Sequence, residues 1–294
     1  MLTRFLYYSI TFVCLLYPYQ DTFNTKIGIC QLNIQSSNDD LNLKKQIISI
    51  SEMLVQEFGD VNKNKFEVNI INDKKSVKQF PNWAAGIAFK NKIYILRDKL
   101  SSTLLSHELC HIYQNKIKNS TTFPSWFKEG MAMYFSRDFF SKDVSTISES
   151  ILLDYIIEID QLSNISKLKN KKEIRLAYQE SLYAYKKIVS DYSNSSIIKI
   201  LDEMKDNKSF EIAFQNIIGI SLNEFTSNID NQIKKSGLTT IFFNLPSILI
   251  FISSIIIIII FTYIRFRNKK TIKKWEIEEE LELLNENNID INNN

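Results

Sequence analysis

Twenty consecutive residues near the end of the chain, Leu245 to Ile264 in "LPSILIFISSIIIIIIFTYI", carry no charge. A helix of that length reaches about 30 Å, the thickness of a bilayer's hydrocarbon core. "RFRNKKTIKK" follows directly and is basic at six of its ten positions. The run therefore reads as one membrane-spanning helix, 241–264. The positive-inside rule puts the basic side, 265–294, in the cytoplasm and the preceding residues outside. The start of the chain agrees. "MLTRFLYYSITFVCLLYPYQ" has one early Arg4 and then an apolar run from Phe5 to Tyr17, the shape of a secretory signal or an uncleaved N-terminal anchor, 1–20. The expected product is a single-pass protein of the cell membrane with its folded domain, 21–237, exported and its C-terminus inside.

Roughly 220 of the 294 residues lie between these segments, enough for one sizeable core. The net charge of +3 is small, and the basic cluster behind the span accounts for it, so no nucleic-acid partner is expected. Cys30 and Cys110 are far apart in sequence and read as two unpaired buried thiols. Hydrophobic periodicity divides the domain in two. "KIGICQLNI" and "KFEVNIIND" alternate as strands, with an amphipathic helix between them that Asp39 or Asp40 caps and Gly59 stops. "WAAGIAFK" and "KIYILR", joined by "NK", form a hairpin. From Ser101 the pattern is helical: Ser101–Lys116, Pro124–Arg137, Ile151–Leu162, Arg175–Tyr192, Ile197–Lys205 and Ser209–Lys235. The expected class is α+β: a small N-terminal mixed sheet with a helix (21–98), then a mainly helical lobe (99–237), then the membrane helix.

The chain has two histidines, and both fall in "LLSHELCHIYQ". Residues four apart on a helix lie one above the other, so His107 and His111 can present two imidazoles to one ion. Glu108, one step round, reaches a water on that ion without binding the metal itself. This is the H-E-x-x-H arrangement, and zinc suits it: two neutral imidazoles, a third protein ligand and a fourth position open to water. Leu104, Leu105, Leu109, Ile112 and Tyr113 make the helix apolar, and buried histidines need partners. Cys110 points to the core rather than toward the ion. The third ligand is expected on a neighbouring helix. "FPSWFKEGMAMYFS" supplies Glu129, eighteen positions beyond His111, on a helix apolar enough to be buried. Gly130 beside it costs about 1 kcal/mol against Ala in a helix, which implies close packing there.

"HELCH" followed by "PSWFKEGMAMYF" resembles the gluzincin metallopeptidases, specifically the peptidase MA-like group, whose pattern is HExxH, a gap and then WxxEGxAxY. Trp126, Glu129, Gly130, Ala132 and Tyr134 fit it. "WAAGIAFKNKIYIL" is similar to the hairpin that these proteins carry ahead of the zinc helix. "AYQESLYAYKKIVSDYSNSSIIKILDEMKDNKSFEIAFQNIIGISLNEFTSNI" is similar to their helical tail, so the likeness covers about Asn82 to Ile233. The resemblance implies one zinc per chain, held by His107, His111 and Glu129, with Glu108 as general base. It also implies a tyrosine hydroxyl that stabilises the developing oxyanion. Tyr178 is the candidate, with Tyr183 and Tyr185 as alternatives. A peptide would pair with the edge strand Ala84 to Ala88, at Ala85 and Gly86.

Together these readings describe a membrane-anchored zinc peptidase acting on a peptide or protein substrate. The alternative is a catalytically silent, zinc-containing binding or scaffold protein of the same fold, since fold does not fix function. An intact Glu108 weighs against the alternative, because a structural site has no use for it. Substrate, endo- or exopeptidase action and oligomeric state are left open.

Overall fold

The computed structural model describes residues 19–35, 40–78, 80–117, 123–137, 157–160, 162, 168, 170–206 and 208–292. Two compact units divide the chain, Met1–Leu238 and Thr239–Asn294.

The first unit opens with a five-stranded mixed sheet of order β1-β2-β3-β5-β4. β1 (Tyr19–Thr25) and β2 (Gly28–Ile34) form a tight antiparallel hairpin with Thr25 opposite Gly28. The strand expected from Lys26 thus starts two residues later, because Lys26 and Ile27 form the turn. β1 itself has little apolar alternation, Phe23 being its buried side chain, which is why it escaped notice. It includes Tyr19 and Gln20, which fell within the expected leader. Gly28 sits at φ +138°, and a Cβ there would lie 2.2 Å from the Asn64 carbonyl oxygen, so the turn requires glycine.

α1 (Asp40–Phe58) crosses over from β2 to β3 (Phe66–Ile71), and these two strands run parallel. Leu43, Ile47, Ile50, Leu54 and Phe58 recur at helical spacing and form its buried face. Gly59, at φ +90°, ends the helix as expected by donating its N–H to the Val55 carbonyl at 2.9 Å. β4 (Gly86–Phe89) and β5 (Lys92–Leu96) make the second hairpin. Its loop is Lys90-Asn91, one residue earlier than the "NK" expected, with Lys90 at φ 54°. β5 lies parallel to β3, which leaves β4 at the edge.

The helical part follows. α2 (Ser102–Ile117) is buried on nearly every side, against β4, β5, α1 and the next helix. Ser101 caps it, its hydroxyl accepting from Leu104 N–H at 3.1 Å. α3 (Ser125–Ser136) packs on α2 and against α4 (Lys171–Tyr192). α4 starts four residues earlier than expected, where the Asn170 side chain caps it. α5 (Asn194–Lys205) and α6 (Phe210–Ile218) complete the core. The single helix expected over Ser209–Lys235 is broken. Gly219 at φ 88° terminates α6, and the Ser221 hydroxyl caps a new helix, α7 (Leu222–Asn292), through Glu224 N–H at 3.2 Å. Of the helix expected over Ile151–Leu162, only 157–160 and 162 are described; Ile159 and Leu162 enter the core, and Ile159 N–H donates to Asp230 at 3.2 Å. Cys30 and Cys110 are free, buried thiols, as expected.

Among the described residues, the second unit consists of the later part of α7. From Leu249 to Ile264 its apolar side chains are exposed, and it is long and apolar enough to cross a membrane. The leader expected at 1–20 lies outside the described residues apart from its last two.

The contact between α3 and α4 is set by one residue. A Cβ on Gly130 would stand 2.4 Å from the Ser181 carbonyl oxygen and 2.7 Å from Tyr185 Cβ. Gly130→Ala should therefore cost about 1–3 kcal/mol by forcing two backbones apart, read as a lowered unfolding midpoint in urea. An unchanged midpoint would show that the helices do not meet there.

Candidate metal centre

Burial of α2 forces its polar side chains to find partners within the fold. His107 and His111 turn their Nε2 atoms toward one point, 3.2 Å apart. The Glu129 Oε2 atom, brought in by α3, lies 3.4 Å from each of them. These three residues form the group able to hold a metal ion among the described residues. The triangle also fits the chemistry: tetrahedral zinc with bonds of about 2.0–2.1 Å separates its ligand atoms by about 3.3–3.4 Å. Glu129 Oε2 is buried and has no hydrogen bond among the described residues, an expensive position for a carboxylate oxygen unless a cation answers it.

Gln114, three residues beyond His111, fixes the imidazole. Its amide nitrogen donates to the Lys128 carbonyl at 2.9 Å, which turns its oxygen to His111 Nδ1 at 3.0 Å. Nδ1 then carries the hydrogen and Nε2 keeps its lone pair for a metal. The i, i+3 spacing from His111 is the trace of this contact in the sequence. Cys110 points into the core; burial pushes its thiol well above the ordinary range, so it is no thiolate ligand.

Glu108 is buried beside the cluster at 5% exposure. Burial raises its pKa, opposed by the two histidines and by a hydrogen bond from the Ala88 backbone N–H. Gly86 closes on the same carboxylate: a Cβ there would stand 3.0 Å from Glu108 Oε1. Alternate residues of β4, Gly86 and Ala88, thus grip Glu108 from one side. The Ala85 carbonyl accepts from Leu96 N–H at 3.0 Å and is committed to β5. In the antiparallel alternation, the backbone groups of Gly86 and Ala88 are the ones that face the free edge. Gly86 thus offers its backbone to that edge and Ala88 its carbonyl, while Ala85 lines the adjoining cleft.

Tyr178, on α4, lies with its ring 6.3 Å from that of His107 and 6.3 Å from that of Trp83. Tyr185 is fully buried between Phe127 and Tyr134, and Tyr183 packs against the core, so of the three tyrosines it is Tyr178 that lines the cleft. The cleft has two adjoining hollows of about 560 and 500 Å³, which share Trp83, Ala84, Gly86, His107, Glu108 and Tyr178.

A model of the peptidase MA superfamily matches residues 53–235. The chain belongs to this superfamily. Its fold is similar to that of the M1 zinc metallopeptidase of Deinococcus radiodurans, with a TM-score of 0.47 and 10% identity over 74% of this chain and 51% of that one. It is also similar to an aminopeptidase N family protein of Idiomarina loihiensis, with a TM-score of 0.50 and 14% identity over 72% and 46%. This superfamily member therefore spans about half the length of those proteins, and at such identities the likeness is one of fold. No curated protein matches the chain.

For His111, burial alone would lower the pKa, but the facing Glu129 carboxylate outweighs it and raises the imidazole to about 9. Metal-free protein thus carries a proton here below that pH, and a cation must displace it. Zinc affinity should accordingly rise about tenfold per pH unit from pH 7 toward 9 and level off above. Competition with a chromophoric chelator measures this, and a flat profile would contradict it.

Proposed function

We propose that this chain is a membrane-anchored zinc peptidase, one zinc per chain, with His107, His111 and Glu129 as ligands. The observation that carries the proposal is the convergence of two imidazole nitrogens and one buried carboxylate oxygen within 3.4 Å of one another, with a second buried carboxylate, Glu108, beside them. Zinc, when bound, supplies Lewis acidity toward a water and a peptide carbonyl.

The residues of the chain do the rest. Glu108 takes a proton from the attacking water and passes it to the leaving amine. Its raised pKa, caused by burial, makes it a better proton acceptor than a solvated carboxylate. The Ala88 N–H and the close approach of Gly86 hold that carboxylate in place. The Tyr178 hydroxyl donates to the oxygen that gains charge as the carbonyl is attacked. The free edge of β4 pairs with an extended peptide through the backbone groups of Gly86 and the carbonyl of Ala88, the Ala88 N–H being held by Glu108, and so aligns one peptide bond with the site.

The anchoring part of the proposal rests on the exposed apolar run of α7 and the basic stretch behind it. Residues 21–237 form the extracytoplasmic domain, 241–264 the span and 265–294 a cytoplasmic tail. Residues 1–20 are proposed as the signal or anchor, although Tyr19 and Gln20 belong to β1.

Glu108→Gln should retain one zinc per chain and lose peptide hydrolysis by about 10²–10⁴-fold. Tyr178→Phe should lower kcat by about 10²-fold with zinc content and unfolding midpoint unchanged. A zinc-loaded parent chain that cleaves nothing in a broad peptide mixture would instead support the silent scaffold. For the topology, a single cysteine introduced near residue 285 should resist a membrane-impermeant maleimide in intact cells and react after lysis. Labelling in intact cells would place the tail outside.

A further inference from the structure

We infer that the cleft selects peptides bearing carboxylates on both sides of the bond to be cut, and that it acts on internal bonds rather than on free N-termini. The inference rests on the peptidase reading above and specifies its substrate. Four cationic side chains line the two hollows: Lys171 and Arg175 at one end, Lys90 and Lys128 at the other. The whole chain carries a net charge of only +3, so this is a local concentration rather than a reflection of composition.

The backbone that carries two of these cations is held in place. The Lys90 turn, at φ 54°, is tied to α2 by the Asn115 side-chain amide, which donates to the Lys90 carbonyl at 2.6 Å. Lys128 is anchored by its own carbonyl, which accepts from Gln114. Lys90, Lys128 and Lys171 form no ion pair among the described residues; the Lys90 ammonium lies over the Phe89 ring, which leaves its charge unneutralised. Between the two ends the wall is apolar, with Trp83, Leu104 and Ile174 facing the hollow. An uncharged residue fits there, with carboxylates beyond it.

The other sign is scarce. The stretch from Pro81 to Lys90, which forms and leads into the edge strand, contains no Asp or Glu. Among the described residues that line the hollows, the carboxylates are Glu108 and Glu129, both turned to the metal centre. Among the described residues, a peptide's α-ammonium group finds no acidic anchor along this wall apart from the two carboxylates of the metal centre, while acidic side chains find a cation at each end. The long-range field of such a cleft favours anionic peptides as they approach and after they bind.

The test uses the full chain in neutral detergent, zinc-loaded and carrying Glu108→Gln to prevent turnover. Three end-capped peptides of equal length, identical except for Glu, Gln or Lys flanking a common apolar centre, are bound with anisotropy as the readout. The Glu-flanked peptide should bind about tenfold tighter than the Gln-flanked one at about 50 mM salt, and the Lys-flanked one weakest. The spread should shrink at about 300 mM salt. Adding Lys90→Glu and Lys171→Glu should invert the order. Equal binding of all three, tighter binding of the Lys-flanked peptide, or an order indifferent to charge reversal would each overturn the preference. With Glu108 restored, acetylated and free-amine forms of the Glu-flanked peptide should be cleaved at similar rates; a requirement for the free amine would overturn the internal-bond assignment. If the binding order holds but the parent chain cleaves nothing, the charge preference stands and the peptidase reading falls.

Discussion

α2 can be buried on nearly every side only because its polar side chains answer one another. Lys116 reaches the Asn64 carbonyl and lies over the Phe66 ring. Gln114 bridges His111 and Lys128, and Tyr113 donates to the Gly59 carbonyl at 2.8 Å. Glu108 accepts from Ala88. Besides these, two imidazole nitrogens and one carboxylate oxygen face each other at hydrogen-bonding or slightly longer range, and His107 Nδ1 is buried without a hydrogen bond among the described residues. In a desolvated setting that arrangement is costly without a positive charge at its centre. A proton on His111 supplies one in the metal-free protein; a divalent cation supplies a larger one. The rest of the fold serves to bring Glu129 to that point and keep it there.

Two glycines control how closely the surrounding elements approach. Gly130 follows Glu129 directly and lets α3 touch the backbone of α4 at Ser181. Tyr178 lies one turn before Ser181, so the packing that places the carboxylate also places the tyrosine beside His107. Gly86 does the equivalent from the sheet, allowing β4 to rest on the Glu108 carboxylate. A methyl group at either position would move a proposed catalytic group and not merely fill space, which ties the helical lobe and the sheet edge to one centre.

Much of this was legible in the sequence because it depends on short-range spacing. His107, Glu108 and His111 share a helix whose period fixes their relation, and Glu129 was found because its helix is too apolar for a stray charge. The α+β class followed from strands that alternate before helices that do not. Other features depend on partners distant in sequence. β1 is half polar and becomes a strand only by pairing with β2. The break at Gly219 was hidden because apolar residues continue across it. The different commitments of Ala85 and Gly86 depend on the register with β5, which no local pattern reveals. Among the tyrosines, composition does not distinguish their surroundings; that Tyr185 is buried against Phe127 while Tyr178 lines the cleft depends on tertiary packing.

The elements divide the work by burial. The groups proposed to bind metal and move protons come from α2 and α3, which the core holds fixed, whereas the cations that rim the cleft come from a turn, a helix start, one exposed helix position and one half-buried one. Those places can change charge without disturbing packing, so selectivity can vary while the chemistry stays constant. The same logic applies to α7. Phe225, Ile229 and Ile233, from its first turns, are buried in the core, but the apolar run from Leu249 to Ile264 is exposed. At about 25 cal/mol per Å² of apolar surface, thirteen apolar residues in that run cannot rest in water without heavy cost, a cost that the hydrocarbon of the proposed membrane would remove.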